Sequence, residues 1–185
     1  MRRLWISLSI VVLAAAAVAD APQESSITFV AKNLLQTANG TFHSWRIANS
    51  RIDLANPAAS SVEVMVDLAS VDTGNEDRDE HLRTADFFEV ETYPTATVRI
   101  HSPSSKGTDD RGRELYAAKF SVDLHGVQKT LDGEFSVATG DPLTIEGGLR
   151  FNRLDFGIGS AYRFWNPVSI QEEVPVQFRA VVPAH

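Results

Sequence analysis

The chain has 185 residues, 43% of them hydrophobic, with 24 acidic residues against 17 basic ones, a formal net charge of −7 and no cysteine. A balance this acidic argues against a basic nucleic-acid groove and against any average attraction to an anionic membrane. Without cysteine there are no disulfides, no thiol redox chemistry, no thiolate metal ligands and no lipoprotein cleavage site, so stability must come from a hydrophobic core, for which the length is ample.

Residues 1–19 read as a secretory leader. Arg2 and Arg3 form its basic start, residues 4–16 its apolar run, and Ala17-Val18-Ala19 the small residues a signal peptidase requires, with cleavage expected before Asp20. Its removal leaves 15 basic residues against 24 acidic ones, and in a Gram-negative cell the product would be periplasmic.

From Ser25 the pattern has period two, with Ile27, Phe29 and Ala31 on one face. Asn39-Gly40 signals a turn, residues 41–47 resume strand character and Asn56-Pro57 breaks it. Val62, Val64, Val66 and Leu68 then alternate with polar neighbours as a half-buried strand.

Residues 70–94 hold the one convincing helix, expected over 75–89. Thr73 and Glu76 make a capping box, and Asp77 and Asp79 load the first turn. Leu82, Ala85 and Phe88 form an apolar stripe widened by Phe87 and Val90, and Asp79 and Arg83 are spaced to pair on the solvent face. Pro94 ends the element.

Strand pattern returns over 95–101. The polar run 102–113 reads as an exposed hairpin tip. Residues 115–125 place Ala118, Phe120, Val122 and Leu124 on one face, 126–129 turn, and 130–137 continue. Asp141-Pro142 breaks the chain again. Residues 143–153 put Gly147, Leu149, Phe151 and Arg153 on one face, and 169–182 alternate strictly from Val174 to Val182. About eight strands at regular spacing with one inserted helix argue for an all-β antiparallel barrel or sandwich in a single domain over residues 20–185. An eight-stranded barrel is either filled or holds one small ligand. Ala31, Gly40, Ala118, Gly147 and Ala180, on or beside apolar faces, favour an open interior.

Candidate chemistry is sparse. None of the five histidines stands at a metal-ligand spacing to another, and Asp77, Asp79 and His81 diverge around a helix. There is no GxSxG elbow, and Gly147-Gly148 reads as a bend rather than a phosphate cradle. Arg153 stands out because its parity points it inward. It needs either an inward carboxylate, such as Asp155 or a helix acid, or an anionic ligand group.

Five stretches carry a family resemblance: SSITFVAKN at 25–33, NGTFHSW at 39–45, SVDTGNEDRDEHLRTADFFEVETYPTATV at 70–98, VDLHGVQKTL at 122–131 and FNRLDFGIG at 151–159. Together the chain resembles the YceI-like family of secreted polyisoprenoid-binding proteins. The resemblance implies an eight-stranded antiparallel lipocalin-like barrel whose tunnel holds a polyprenyl chain or similar amphiphile, of the isoprenoid quinone or polyprenyl phosphate class. Phe29, Phe42, Phe120, Leu149 and Phe151 are expected to line the tunnel. Asn33, where many relatives carry histidine, and Arg153 are expected to meet the polar end. The helix over 75–89 would cover an opening, with Phe87 and Phe88 as its gate. About ten buried apolar carbons would supply about 8 kcal/mol before entropic losses, so such a ligand needs no elaborate polar site.

The expected role is a carrier or store of an isoprenoid lipid, with no catalytic cofactor, a possible membrane redox or lipid-handling partner and a possible homodimer. The alternatives are a ligand-free stress-response or interaction protein with a filled barrel, and a lipid-acting hydrolase or isomerase, which would need His101 or His125 to face inward.

Overall fold

A computed structural model describes residues 25–53, 56–140 and 142–182. The leader expected at 1–19, and Asp141 of the Asp141-Pro142 break, lie outside the described residues.

Ten strands form one antiparallel sheet: β1 (Ser26–Lys32), β2 (Thr37–Phe42), β3 (Trp45–Arg51), β4 (Ser61–Asp67), β5 (Val71–Asp72), β6 (Thr95–Thr108), β7 (Glu114–Leu124), β8 (Val127–Ala138), β9 (Leu143–Asn152) and β10 (Glu173–Val182). Their order across the sheet is β3-β4-β6-β7-β8-β9-β10-β1-β2-β5. That order forces curvature. In a flat sheet, β2 and β3 would stand eight strand spacings apart, about 38 Å. Only His43 and Ser44 connect them, a link that reaches about 11 Å. The sheet therefore curls until its ends meet at this link, where Ser70 accepts from His43 N (3.2 Å) and Ser44 N (3.0 Å) and Asp67 N donates to Ser44 O (2.9 Å).

The expectation of eight strands is corrected to ten. The single strand expected over 41–47 is two, split at His43-Ser44, and β5 is a two-residue addition that pairs with β2. The tip expected over 102–113 is mostly ladder: β6 continues to Thr108 and only 109–113 turn. Here polarity reflects a solvent-facing strand. Pro103, which cannot donate to a ladder, sits at a register shift between His101 and Ser104, next to Ser102 at φ 53.

The helix α1 spans Glu76–Arg83 and follows β5, so it is half as long as expected. Asn75 is its cap, accepting from Arg78 N at 2.9 Å; Thr73 is not. Thr73 instead serves Asp79, which is buried and accepts from the Thr73 amide (2.9 Å) and hydroxyl (2.5 Å). The expected Asp79–Arg83 pair is absent. Arg83 donates to the carbonyls of Ala69 (2.9 Å) and Val71 (3.0 Å), tying the helix to the seam of the sheet. After Thr84 the chain turns tightly through Thr92, leaving Ala85 exposed while Leu82, Phe87, Phe88 and Val90 stay partly buried. A stripe drawn at helical period had no helix to run along there.

The main core gathers Val66, Leu68, Ala96, Ala118, Phe120, Val122, Leu124, Phe156 and Ile158, with Phe120 and Phe156 fully enclosed. A smaller cluster joins Phe29, Val71 and Val174.

The aromatic interior and its mouth

Phe29 faces Gly40 directly across the β1–β2 ladder, and its ring occupies the space a Cβ at Gly40 would need. Gly147 is crowded by Glu134 O, by Phe135 Cβ and by the ring of its partner Phe178, and Phe120 covers Gly133 from the neighbouring strand. Two of the five small residues read as room for a ligand, Gly40 and Gly147, therefore lie against phenylalanine rings. That inference is corrected: a glycine creates free space only if no cross-strand neighbour leans into it. Gly147 and Gly148 both pair without a register shift on each side of β9, so no bulge marks them.

From Phe29 a run of rings leads toward α1. Phe29 and Phe42 have centroids 5.5 Å apart, and Phe42 and Phe88 5.9 Å. Phe151 meets Phe156 edge-on at 5.4 Å, and Leu149 packs on the main core. Phe29, Phe42, Phe120, Leu149 and Phe151 thus all belong to the apolar interior. Phe29 and Phe120 are buried, whereas Phe42, Leu149 and Phe151 are only partly so.

The two gate candidates part company. Phe88 turns inward to Phe42. Phe87 crosses His81 edge-on at 5.0 Å and lines an open cleft of about 270 Å3 with Arg153, Ser160, Arg163 and Ile170.

Arg153 is 4% exposed, as its parity implied, but neither Asp155 nor a helix acid holds it. Its guanidinium donates to four backbone carbonyls, of Ile158 (2.7 Å), Ser160 (2.6 Å), Ile170 (2.7 Å) and Gln171 (3.1 Å). Asp155 approaches Lys129 instead, at 3.9 Å. Burial pushes the Arg153 guanidinium down from its ordinary value, with Glu172 opposing. Its chief task is to fasten the loop over 157–172 against the end of β9. Asn33 lies beside that loop, since Gln171 N donates to Lys32 O at 2.7 Å. Its Oδ1 accepts from Leu35 N (2.9 Å) and Gln36 N (2.7 Å), closing the β1–β2 turn.

The sequence reading missed Phe156 and what surrounds it. In the run 151–159, Asn152 caps a 3-10 turn through Leu154 N, Arg153 clamps the loop, Phe156 fills the core and Gly157 ends the turn at φ 70. A glycine directly after Phe156 was the available signal, because glycine commonly ends such a turn in the left-handed region. His125 and Gly126, at φ 54 and 71, form the two-residue turn between β7 and β8. His125 Nδ1 meets Phe156 O at 3.0 Å, and its Nε2 faces Glu89 at 3.5 Å. His101 Nε2 meets Ser121 Oγ at 2.9 Å. Among the described residues, no three His, Asp or Glu side chains converge as a metal site.

A family model described as the YceI-like domain matches residues 19–182. A UPF0312 protein of Azotobacter vinelandii is 35% identical over 126 residues, covering 64% of this chain and 62% of the relative, so the chain spans less than two thirds of that relative's length. Burkholderia cenocepacia BcnA superposes with a TM-score of 0.73 at 24% identity, over 86% of this chain and 96% of its own. A polyisoprenoid binding domain from Saccharophagus degradans, implicated in plant cell wall breakdown, gives a TM-score of 0.62 at 20% identity, over 87% and 94%. At these identities the two structures share the fold.

Proposed function

Because the chain belongs to the YceI-like family, we propose that it is a binding protein that holds a long isoprenoid or similar amphiphilic lipid in the interior of its curled sheet. The similarity to a polyisoprenoid binding domain supports this ligand class. In this reading the protein acts outside the cytoplasm, after loss of residues 1–19, as a carrier or store rather than a catalyst. An isoprenoid quinone or a polyprenyl phosphate would satisfy the chemistry.

The observation that carries the reading is the incomplete burial of the aromatic lining. Phe42, Phe88, Leu149, Phe151 and Phe178 all pack on the core, yet each keeps part of its surface uncovered. Interior apolar surface left uncovered is what a further hydrocarbon chain can remove from water, at about 0.8 kcal/mol per methylene. The rings over Gly40, Gly133 and Gly147 would have to swing off their seats to admit such a chain. The bound form is then a repacked interior.

One observation favours a second reading. Phe120 and Phe156 are fully enclosed, and the glycine seats are occupied, as they would be in a protein whose interior is permanently filled and which works through its surface.

The test is uptake by delipidated protein of a fluorescent polyprenyl phosphate and of an isoprenoid quinone. Saturable uptake with one ligand per chain, weakened at least tenfold by Phe42→Asp in a variant that still unfolds cooperatively, is the expected result. No saturable uptake of either probe would leave the filled interior as the account of this protein.

A further inference from the structure

Five large hydrophobic side chains among the described residues are more than 60% exposed, and all five stand on two adjoining loops. Leu34 and Leu35 are each 66% exposed on the β1–β2 turn. Phe164, Trp165 and Val168, at 75%, 67% and 62%, stand on the loop between β9 and β10. The turn and the loop leave the sheet at the same end, because β1 ends where β10 begins, and Gln171 N bonds to Lys32 O between them. We propose that this rim is a membrane-docking surface, which inserts Leu34, Leu35, Phe164, Trp165 and Val168 into the headgroup region of an anionic bilayer.

Charge selects the bilayer as the occupant. The chain carries −7 overall, so its body is repelled by an anionic surface. Yet residues 32–37 and 157–171 contain no acid and two exposed cations, Lys32 and Arg163. Of the acids that flank this span, Glu172 is partly buried and accepts from Tyr162 N at 3.4 Å, while Asp155 and Glu173 are exposed at its two ends, Asp155 within 3.9 Å of Lys129. Asp86, the acid beside Phe87, is exposed and lies 3.2 Å from His81 Nε2. Two acid-free, apolar spans that each carry a cation, on an otherwise anionic body, orient the molecule with these loops toward the lipid. An aromatic pair flanked by a cation is also what the bilayer interface favours over either pure phase.

The loop is also prepared for the task. Four carbonyl bonds from Arg153 hold its two ends. Ser169 Oγ accepts from Arg163 N (2.9 Å), Asn166 N donates to Arg163 O (2.8 Å), and Ser169 N donates to Asn166 O (3.0 Å). Phe164 and Trp165 meet edge-on at 4.9 Å. A wedge already fixed in shape loses little conformational entropy on insertion. The inference does not depend on whether the interior holds a lipid.

The experiment uses the full-length gene product as the cell matures it and vesicles of phosphatidylethanolamine and phosphatidylglycerol that contain no isoprenoid. Flotation is compared for the wild type and Phe164→Ser/Trp165→Ser. As the chain has no cysteine, nitroxides are placed singly through Pro167→Cys on the rim and Asp110→Cys on the β6–β7 turn at the far end. Expected are flotation of the wild type, at least a tenfold loss in the double variant with unchanged circular dichroism, and a nitroxide exposed to lipid at 167 but to water at 110. Equal flotation of the double variant, or equal water exposure of both nitroxides, overturns the proposal. Failure to float together with a dimer that the double variant dissociates also overturns it and assigns the rim to a second copy.

Discussion

The Phe29 ring lies over Gly40, its direct cross-strand partner, so closely that no side chain fits at position 40. The asparagine-glycine pair at 39–40 sits within β2 and makes no turn, and its glycine is required by the neighbouring strand. Gly40→Ala is expected to destabilise the protein by about 1–3 kcal/mol through overpacking. In a Phe29→Leu background the same change should cost much less. A urea double-mutant cycle checks this, and strictly additive costs would show that the ring and the glycine are not coupled.

Arg153 replaced by methionine keeps most of its apolar stem but leaves four carbonyl acceptors without their donor. The expected cost is about 3 kcal/mol. Amide exchange should accelerate through residues 158–171 while β7 and β8 keep their protection. A variant that exchanged no faster in this loop would remove Arg153 as its clamp.

Buried Asp79 holds the Thr73 amide and hydroxyl, and the same hydroxyl accepts from Arg78 Nε at 2.7 Å. Asp79→Ala should cost about 1–3 kcal/mol because two donors lose their acceptor. The neighbouring exposed acid Glu80, changed to alanine, should shift stability by less than about 0.5 kcal/mol. Thermal unfolding of the two variants, side by side, separates a buried hydrogen-bonded acid from a solvated one.

On the outside of the sheet, Glu146 bonds to Arg113 at 2.5 Å and to Arg179. The Arg113 hydrogen bond holds the Glu146 carboxyl below its ordinary value of 4.5, against the opposing effect of burial. A carboxyl lowered in the folded state adds stability that is complete above its unfolded value and is lost as pH falls through the folded one. The urea midpoint should therefore fall on going from about pH 6 to about pH 3, and Arg113→Met should flatten that fall. A slope unchanged in the variant would locate the acid sensitivity elsewhere. Asp109, which also bonds to Arg113, at 2.7 Å, is held low as well and acts in the same direction.

Much of this fold was legible because alternation is a local signal: β4, β7, β9 and β10 fall within a few residues of where period two placed them. The split at His43-Ser44 was not legible, since it follows from the two ends of the sheet meeting. The length of α1 was misjudged because Leu82, Phe87 and Phe88 continue the apolar spacing beyond Arg83, while Thr84, whose hydroxyl bonds to His81 O at 2.8 Å, begins a turn. Arg153, whose parity pointed it inward, is buried, whereas Asn33 stands in the β1–β2 turn beside the loop that Arg153 holds. Sequence could not show that Asn33 Oδ1 and the Arg153 guanidinium already bond to backbone groups, because loop carbonyls and amides leave no mark on composition.

Native mass spectrometry of the protein taken directly from its own cells, followed by solvent extraction, decides whether the aromatic interior holds a lipid. The expected mass exceeds that of the chain by one prenyl lipid, released on extraction and identifiable as a quinone or a polyprenyl phosphate. A bare chain mass, unchanged after incubation with either class of lipid, would contradict lipid binding and leave Phe29, Phe120 and Phe178 as the permanent filling of a curled sheet.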